Sequence, residues 1–428
     1  MPSPPRIAII GAGPAGCTLA RILLSHSIPS TIFEGEASLS VRAQGGTLDL
    51  HPSTGQAALK ECGIWSDFLK YARYDGEALK VVDKNLVVYL GMPGAKADEG
   101  GWFGGSRGRP EIDRVRLRQI LVESLPEGVI RWGKRVRGFD AEKMELTFDD
   151  GVEGGWGLVV GADGAWSKIR PALSEVKPYY VGLGGFDMVV PNARETCPEL
   201  AEFVNRGTVF GYSDGKTLMA QQRGDESLII YAWGARDEKW MEECGFDVKN
   251  AKQVKEYLEG EYKEWKDPLK KALQVARDDE IVARCMYQLP VDHRWEGRHG
   301  VTLVGDAAHL LTPFAGEGVN LAMEDSMKLA YAIIDSTKAG DSSDKLQERI
   351  RKFELDMFAR SAPISALSKR QMETMFFTEG APFTTIHDWV CQALGGLRSM
   401  HGGSDSWYLG GSYGCCYGQY IGGEVCAA

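Results

Sequence analysis

Ile7-Ala8-Ile9-Ile10 is an unbroken apolar run rich in β-branched residues, the pattern of a strand buried on both faces. A glycine-rich turn, a helical stretch and a second strand at Ser30–Phe33 follow it. From Arg6 to about Tyr74 strand and helix signals alternate, and from Gly76 to Gly105 the chain turns β-like ("LKVVDKNLVVYLG"). In "EIDRVRLRQILVESL", Ile112, Val115, Leu117, Ile120, Leu121 and Leu125 favour one face of a helix. Residues 179 to about 240 read as strands and turns, and a charged helical stretch covers about 249–278. Alternation returns at Gly300, with long amphipathic helices over roughly 318–378.

This order predicts an α/β protein. A Rossmann-like dinucleotide-binding domain (1–74, 105–178 and 285–330) is interrupted by a β-rich substrate domain (75–104 and 179–284). A C-terminal helical region (331–400) and a glycine-rich tail (401–428) complete it. The tail reads as loosely packed chain, with a partner-binding segment as the alternative.

Composition narrows the function classes. The 428 residues are 43% hydrophobic and 25% charged, ordinary for a globular protein. A net charge of -10 with no long basic run argues against nucleic-acid binding. No uninterrupted apolar run has the length of a membrane span. Nine cysteines without a C-x-x-C pattern suggest neither a disulfide framework nor a metal site, and point to a reducing, cytoplasmic setting. We expect a monomer.

The first turn carries candidate chemistry. Gly11, Gly13 and Gly16, in Gly11-Ala12-Gly13-Pro14-Ala15-Gly16, fit G-x-G-x-x-G between strand and helix. Gly11 allows the tight turn, Gly13 lets a pyrophosphate approach the backbone, and Gly16 lets the helix pack close to the sheet. Free N–H groups and the helix dipole favour phosphate there. Glu34 ends the second strand where a carboxylate can accept from a ribose hydroxyl; its charge disfavours NADP in this cleft and leaves NAD and FAD open.

Two further stretches narrow the choice. "GLVVGADGAWSKIR" is a strand followed by Asp163-Gly164, and "GVTLVGDAAHLLTPFAGEGVNLAMED" is a strand ending in Gly305-Asp306 before glycines and a helix. Asp306 can accept from a ribitol hydroxyl. Gly316–Asn320 can turn a helix N-terminus toward a flavin pyrimidine edge, where charge gathers on reduction.

With these three motifs the chain resembles a class A FAD-dependent monooxygenase of the para-hydroxybenzoate hydroxylase type. It is most similar to the tetracycline-inactivating flavin monooxygenases. The resemblance runs from about Ile7 to Val390, and "RAQGGTLDLHPSTGQAALKECG", "PEIDRVRLRQIL" and "GDAAHLLTPFAGEGVN" carry it as well. It implies noncovalent FAD, with Gly11, Gly13 and Gly16 at the pyrophosphate and Glu34 at the adenosine ribose. Asp49, Arg114, Asp163, Asp306, Gly316, Glu317, Gly318 and Val319 fall at cofactor positions, and Arg42 at one implicated in nicotinamide interaction. For Arg42 and Arg114 the alternative is a solvated surface charge. The implied reaction uses NADPH or NADH and dioxygen. Through a flavin C4a-hydroperoxide, it hydroxylates or epoxidises an aromatic or alkene-containing small molecule. The flavin carries that chemistry, so no catalytic side chain and no metal is assigned, and His309 reads as structural.

The substrate domain departs from the tetracycline-inactivating pattern. No histidine occurs between His51 and His293; Ile229 stands where one is expected, Thr208 near an arginine position, and Asp187 near a glutamine position. Met219, Ile229, Ile230, Tyr231 and Phe314 would suit a flatter, less polar substrate, such as an alkaloid, quinolone or polyketide aromatic. Alternatives are a tetracycline-inactivating hydroxylase, an NAD-dependent dehydrogenase and a non-catalytic flavin-binding protein. The tryptophan-x-tryptophan-x-isoleucine-proline signature of flavin-dependent halogenases is absent.

Overall fold

A computed structural model describes residues 5–41, 45–94 and 108–392 and divides the chain into two compact units. The first comprises Met1–Ala72, Ile112–Tyr179 and Tyr287–Ser368; the second Arg73–Glu111, Tyr180–Met286 and the chain from Lys369. The 401–428 tail lies outside the described residues.

The first unit is built on a five-stranded parallel sheet in the order 301–303, 158–161, 7–10, 30–33, 130–131. Every residue of Ile7–Ile10 and Leu158–Gly161 is buried, which is why neither strand shows polar alternation. The helix Pro14–Ser25 follows the central strand. It buries Leu19, Ile22 and Leu23 in the same apolar core as Leu329, Ile333 and Ile334 of the helix Gly318–Ala339. The amphipathic stretch expected over roughly 318–378 is two helices, Gly318–Ala339 and Ser343–Phe376. Between them Gly340 takes a φ of +66°, the left-handed geometry that stops a helix.

The second unit holds a seven-stranded sheet in the order 282–288, 179–190, 228–235, 216–222, 208–213, 79–82, 88–92. One face packs on helices. Phe186, Met188, Leu218, Ala220, Ile230 and Ala232 meet Leu200 of the helix Pro198–Val204, Leu258 of Ala251–Glu261 and Leu273 of Leu269–Val275. The charged stretch expected over 249–278 is those last two helices, separated at Pro268. Strand alternation sends the neighbours of the core residues to the opposite face.

Candidate active site

Close backbone approaches shape the turns of the first unit. A Cβ at Gly11 (φ +107°) would lie 2.4 Å from the Ala162 carbonyl oxygen, so the glycine turn abuts the turn before Asp163. A Cβ at Gly16 would lie 2.0 Å from the Gly11 carbonyl oxygen. A Cβ at Gly305 (φ +60°) would lie 3.0 Å from the Ala322 Cβ and 3.7 Å from the Ala15 Cβ. Only glycine fits these three approaches. Gly13 is different: a Cβ there would meet nothing within 4 Å, and the same holds at Gly318.

Open space at those two glycines coincides with uncapped helix ends. Gly13 has no side chain with which to cap the helix that Pro14 opens, so the N-terminal amides remain available to an anion. Glu34 closes the turn from the side, accepting from the Ala12 amide at 2.8 Å and the Glu36 amide at 2.9 Å. Arg118 donates to the Ala12 carbonyl at 3.1 Å and to Glu36 at 2.6 Å, and lies 3.6 Å from Glu34. Arg118 was not singled out from the sequence; its signal was its place four residues after Arg114, on one face of the helix Arg114–Glu123.

Asp306 opens the short helix Asp306–His309 and is exposed to solvent, yet crowding by surrounding protein raises its carboxyl pKa against the nearby charges of His309, Arg114 and Arg170. Arg114 itself is exposed, its amide bonded to the Gly46 carbonyl. Asp163 closes its own turn through the Lys168 amide at 2.7 Å, while its buried Oδ1 has no hydrogen-bond partner. Arg170, also missed in the sequence, ties two motifs together: it donates to the Ala165, Asp306 and Ala307 carbonyls at 2.8, 3.1 and 2.8 Å. Burial pulls its pKa down, with Asp163 and Asp306 opposing. His309 is buried against Asp325 at 2.6 Å, and Asp325 also accepts from the Gly305 amide and Arg360. Burial works against the imidazolium, but Asp325 and Asp306 outweigh it and raise the His309 pKa. Its position behind the Gly305 turn is a structural one.

Asp49 ends the short strand Thr47–Asp49 and its carboxylate lies 2.9 Å from Nε2 of the buried His51. The other ring nitrogen of His51 lies 3.1 Å from Glu317. Asn320 joins the two loops: its Oδ1 accepts from the His51 amide, and its Nδ2 donates to the Asp49 and Gly316 carbonyls. Gly316 adopts φ +68°, and Val319 is half-buried in the first turn of its helix. Arg42 lies outside the described residues.

In the second unit, Asp187, Thr208, Met219, Ile229 and Tyr231 share the sheet face opposite the helices. Two rows cross it: Asp187, Tyr231, Met219 and Phe210, then Val189, Ile229, Gln221 and Thr208. Ile230, grouped with them in the sequence, alternates into the helix-covered core instead. Asp187 accepts from the Trp233 indole at 3.0 Å and from Arg284 at 2.5 Å; burial still raises its pKa against the Arg284 charge. Phe314, a residue of the first unit, lies half-buried in the short turn Pro313–Ala315.

The residues of the first unit therefore fit FAD: two open glycines, two helix ends without side-chain caps, an exposed carboxylate at Asp306 and a second carboxylate at Glu34. The family model described as "FAD binding domain" matches residues 6–349. The chain is 31% identical to the monooxygenase asqM of Emericella nidulans and 30% identical to the monooxygenase penA of Penicillium thymicola, in each case over 88% of this chain and 96% of the relative. Its fold also matches the crystal structure of tetracycline destructase Tet(51), with a TM-score of 0.65 at 17% identity, covering 92% of this chain and 96% of that one. These matches close the dehydrogenase and non-catalytic readings, and the chain belongs to the FAD-binding-domain family of FAD-dependent monooxygenases.

Proposed function

We propose that this monooxygenase uses NADPH or NADH and dioxygen to hydroxylate or epoxidise a flat aromatic or alkene-containing secondary metabolite, such as an alkaloid, quinolone or polyketide. FAD supplies the oxygen chemistry when bound. The protein's part is to hold it: the amides at Gly13 and the first helix take the pyrophosphate, Glu34 the adenosine ribose, Asp306 the ribitol, and the amides of Gly318 and Val319 the pyrimidine edge. Asp49, Arg114 and Asp163 complete the cofactor shell, and Arg42 assists the nicotinamide donor. The enzyme acts as a cytoplasmic monomer; among the described residues no helix is long and apolar enough to cross a membrane.

The substrate class rests on one observation, the row Asp187, Tyr231, Met219 and Phe210 on a sheet face whose single carboxylate is already engaged by Trp233 and Arg284. A polar ligand such as a tetracycline needs partners for its hydroxyl, carbonyl and amide groups, and each left unmatched costs roughly 1–3 kcal/mol. Ile229 and Met219 offer none. Planar apolar rings lose little on that surface, and Tyr231 and Phe210 can stack with them.

The test is product formation by mass spectrometry, with NADPH or NADH, oxygen and a panel of indole-like, quinolone and tetracycline compounds. A mono-oxygenated product from a flat aromatic, with little from tetracycline, is expected. Tetracycline turnover equal to that of the best other substrate would overturn the substrate class. In stopped flow, FAD-loaded Arg42→Ala should be reduced more slowly than wild type; an unchanged rate removes Arg42 from the nicotinamide role.

A further inference from the structure

Glu317 occupies the N-cap position of the helix Gly318–Ala339, yet its side chain makes no capping hydrogen bond. A carboxylate at a helix start is drawn to the free amides and the positive end of the dipole. Here it is held elsewhere. His51 Nδ1 lies 3.1 Å from Glu317 while Nε2 lies 2.9 Å from Asp49, and the side chains of His51 and Glu317 are only 2% and 7% exposed. The backbone that carries the ring is held as well, since Asn320 accepts the His51 amide at 2.9 Å and donates to the Asp49 carbonyl at 2.9 Å. Beyond the helix start, a Cβ at Gly318 would meet nothing within 4 Å.

We propose that His51 is a positioning residue for the flavin: it restrains Glu317 from capping its own helix, so that the amides of that helix stay available to the pyrimidine edge of FAD. The inference rests on the family's FAD site and adds a role that the three sequence motifs do not carry. Glu317 and Asp49 are the charged groups that face the imidazole, and they favour its protonated form. Burial alone would push the His51 pKa down; the hydrogen bonds to Asp49 and Glu317 prevail and lift it to about 9. At neutral pH the cluster therefore holds one imidazolium between two carboxylates. Releasing Glu317 would set a negative charge at the place where a reduced isoalloxazine carries its own. That disfavours reduced over oxidised FAD, so the bound cofactor's midpoint potential falls.

The measurement is the two-electron midpoint potential of the FAD-loaded protein, by reductive titration against a reference dye. His51→Ala should lower the preference for reduced FAD about tenfold, which is about 30 mV for a two-electron couple. His51→Ala combined with Glu317→Gln should return it to the wild-type value. His51→Ala combined with Asp49→Asn should not, although it removes the same charge. Should the His51 variants fold poorly, Glu317→Asp tests the idea with His51 intact and net charge unchanged. Aspartate is a strong N-cap and too short to keep the His51 contact, so its potential should also fall. An unchanged potential in His51→Ala or in Glu317→Asp overturns the proposal, as does equal rescue by Asp49→Asn, which would make the effect one of net charge alone. A protein that takes up no FAD at all would instead strike at the family's cofactor site, which separates the two failures.

Discussion

The two units are built in different ways, and they leave different marks. In the first, what matters is where the backbone can go: Gly11 and Gly16 sit where any Cβ collides, Gly305 at a φ of +60°, and Gly13 and Gly318 where a Cβ would enter open space. In the second, the backbone is a plain antiparallel ladder from 179–190 across to 208–213, and what distinguishes one position from another is the side chains in rows across it. A common cofactor can be held by main-chain amides and dipoles, which impose fixed residue types at fixed spacings. A particular substrate is selected by the size and polarity of side chains, which impose no spacing at all.

The largest test of that contrast is within one loop. Gly16→Ala should destabilise the fold by about 3 kcal/mol, the upper end of overpacking costs, because the new methyl meets the Gly11 carbonyl at 2.0 Å. Gly13→Ala should leave the melting temperature of the FAD-free protein near wild type while weakening FAD at least tenfold, about 1.4 kcal/mol. Thermal denaturation and flavin-fluorescence titration separate the two. If Gly13→Ala melts as early as Gly16→Ala, both glycines are structural and the phosphate role fails.

Next in size is Asp306→Asn. A hydrogen bond to a charged acceptor is worth about 1.5–3 kcal/mol, so FAD affinity should fall between roughly tenfold and a hundredfold. Retention of FAD through gel filtration at wild-type level would take Asp306 out of the cofactor site.

The His51 cluster gives a pH signature. Its pKa is raised from 6.5 to about 9 on folding, so its stabilisation is complete below pH 6.5 and is lost as pH rises through about 9. His51→Gln should therefore cost about 2 kcal/mol at pH 6 and much less at pH 9.5. Chemical denaturation of both proteins at the two pH values measures it; a penalty that does not shrink with pH shows that the imidazole is neutral in the fold.

The smallest effect belongs to the sheet face of the second unit. Asp187→Asn keeps an acceptor for the Trp233 indole and loses the Arg284 ion pair, whose arginine is 44% exposed, so stability should change by less than about 1 kcal/mol. KM for a flat substrate should move only a few-fold. A loss of turnover by two orders of magnitude would show instead that Asp187 touches the substrate directly.

How much was legible follows from these differences. The buried strands Ile7–Ile10 and Leu158–Gly161 showed in their unbroken apolar runs, and the first helix and turn in their glycines. That more than one helix fills 318–378 showed as well, but not the position of the break at Gly340, because amphipathic spacing continues on both sides of it. Arg170 escaped notice because its partners are main-chain carbonyls, those of Ala165, Asp306 and Ala307, and a carbonyl has no letter in a sequence; Arg118 did so because Glu36, its carboxylate partner, stands 82 positions away.

By itself the sequence determined that this chain folds around a parallel sheet with a dinucleotide turn; the turn left NAD and FAD open, and the resemblance carried by three motifs pointed to FAD. Local spacing suffices there, since strand, glycine turn and helix are consecutive and their geometry leaves few residue choices. Only the tertiary structure decided which side chains act together. His51 lies more than 260 positions from Glu317 and Asn320 and meets them because two loops converge on one helix end. Ile229 and Ile230 are adjacent and part company because a strand turns alternate residues to opposite faces.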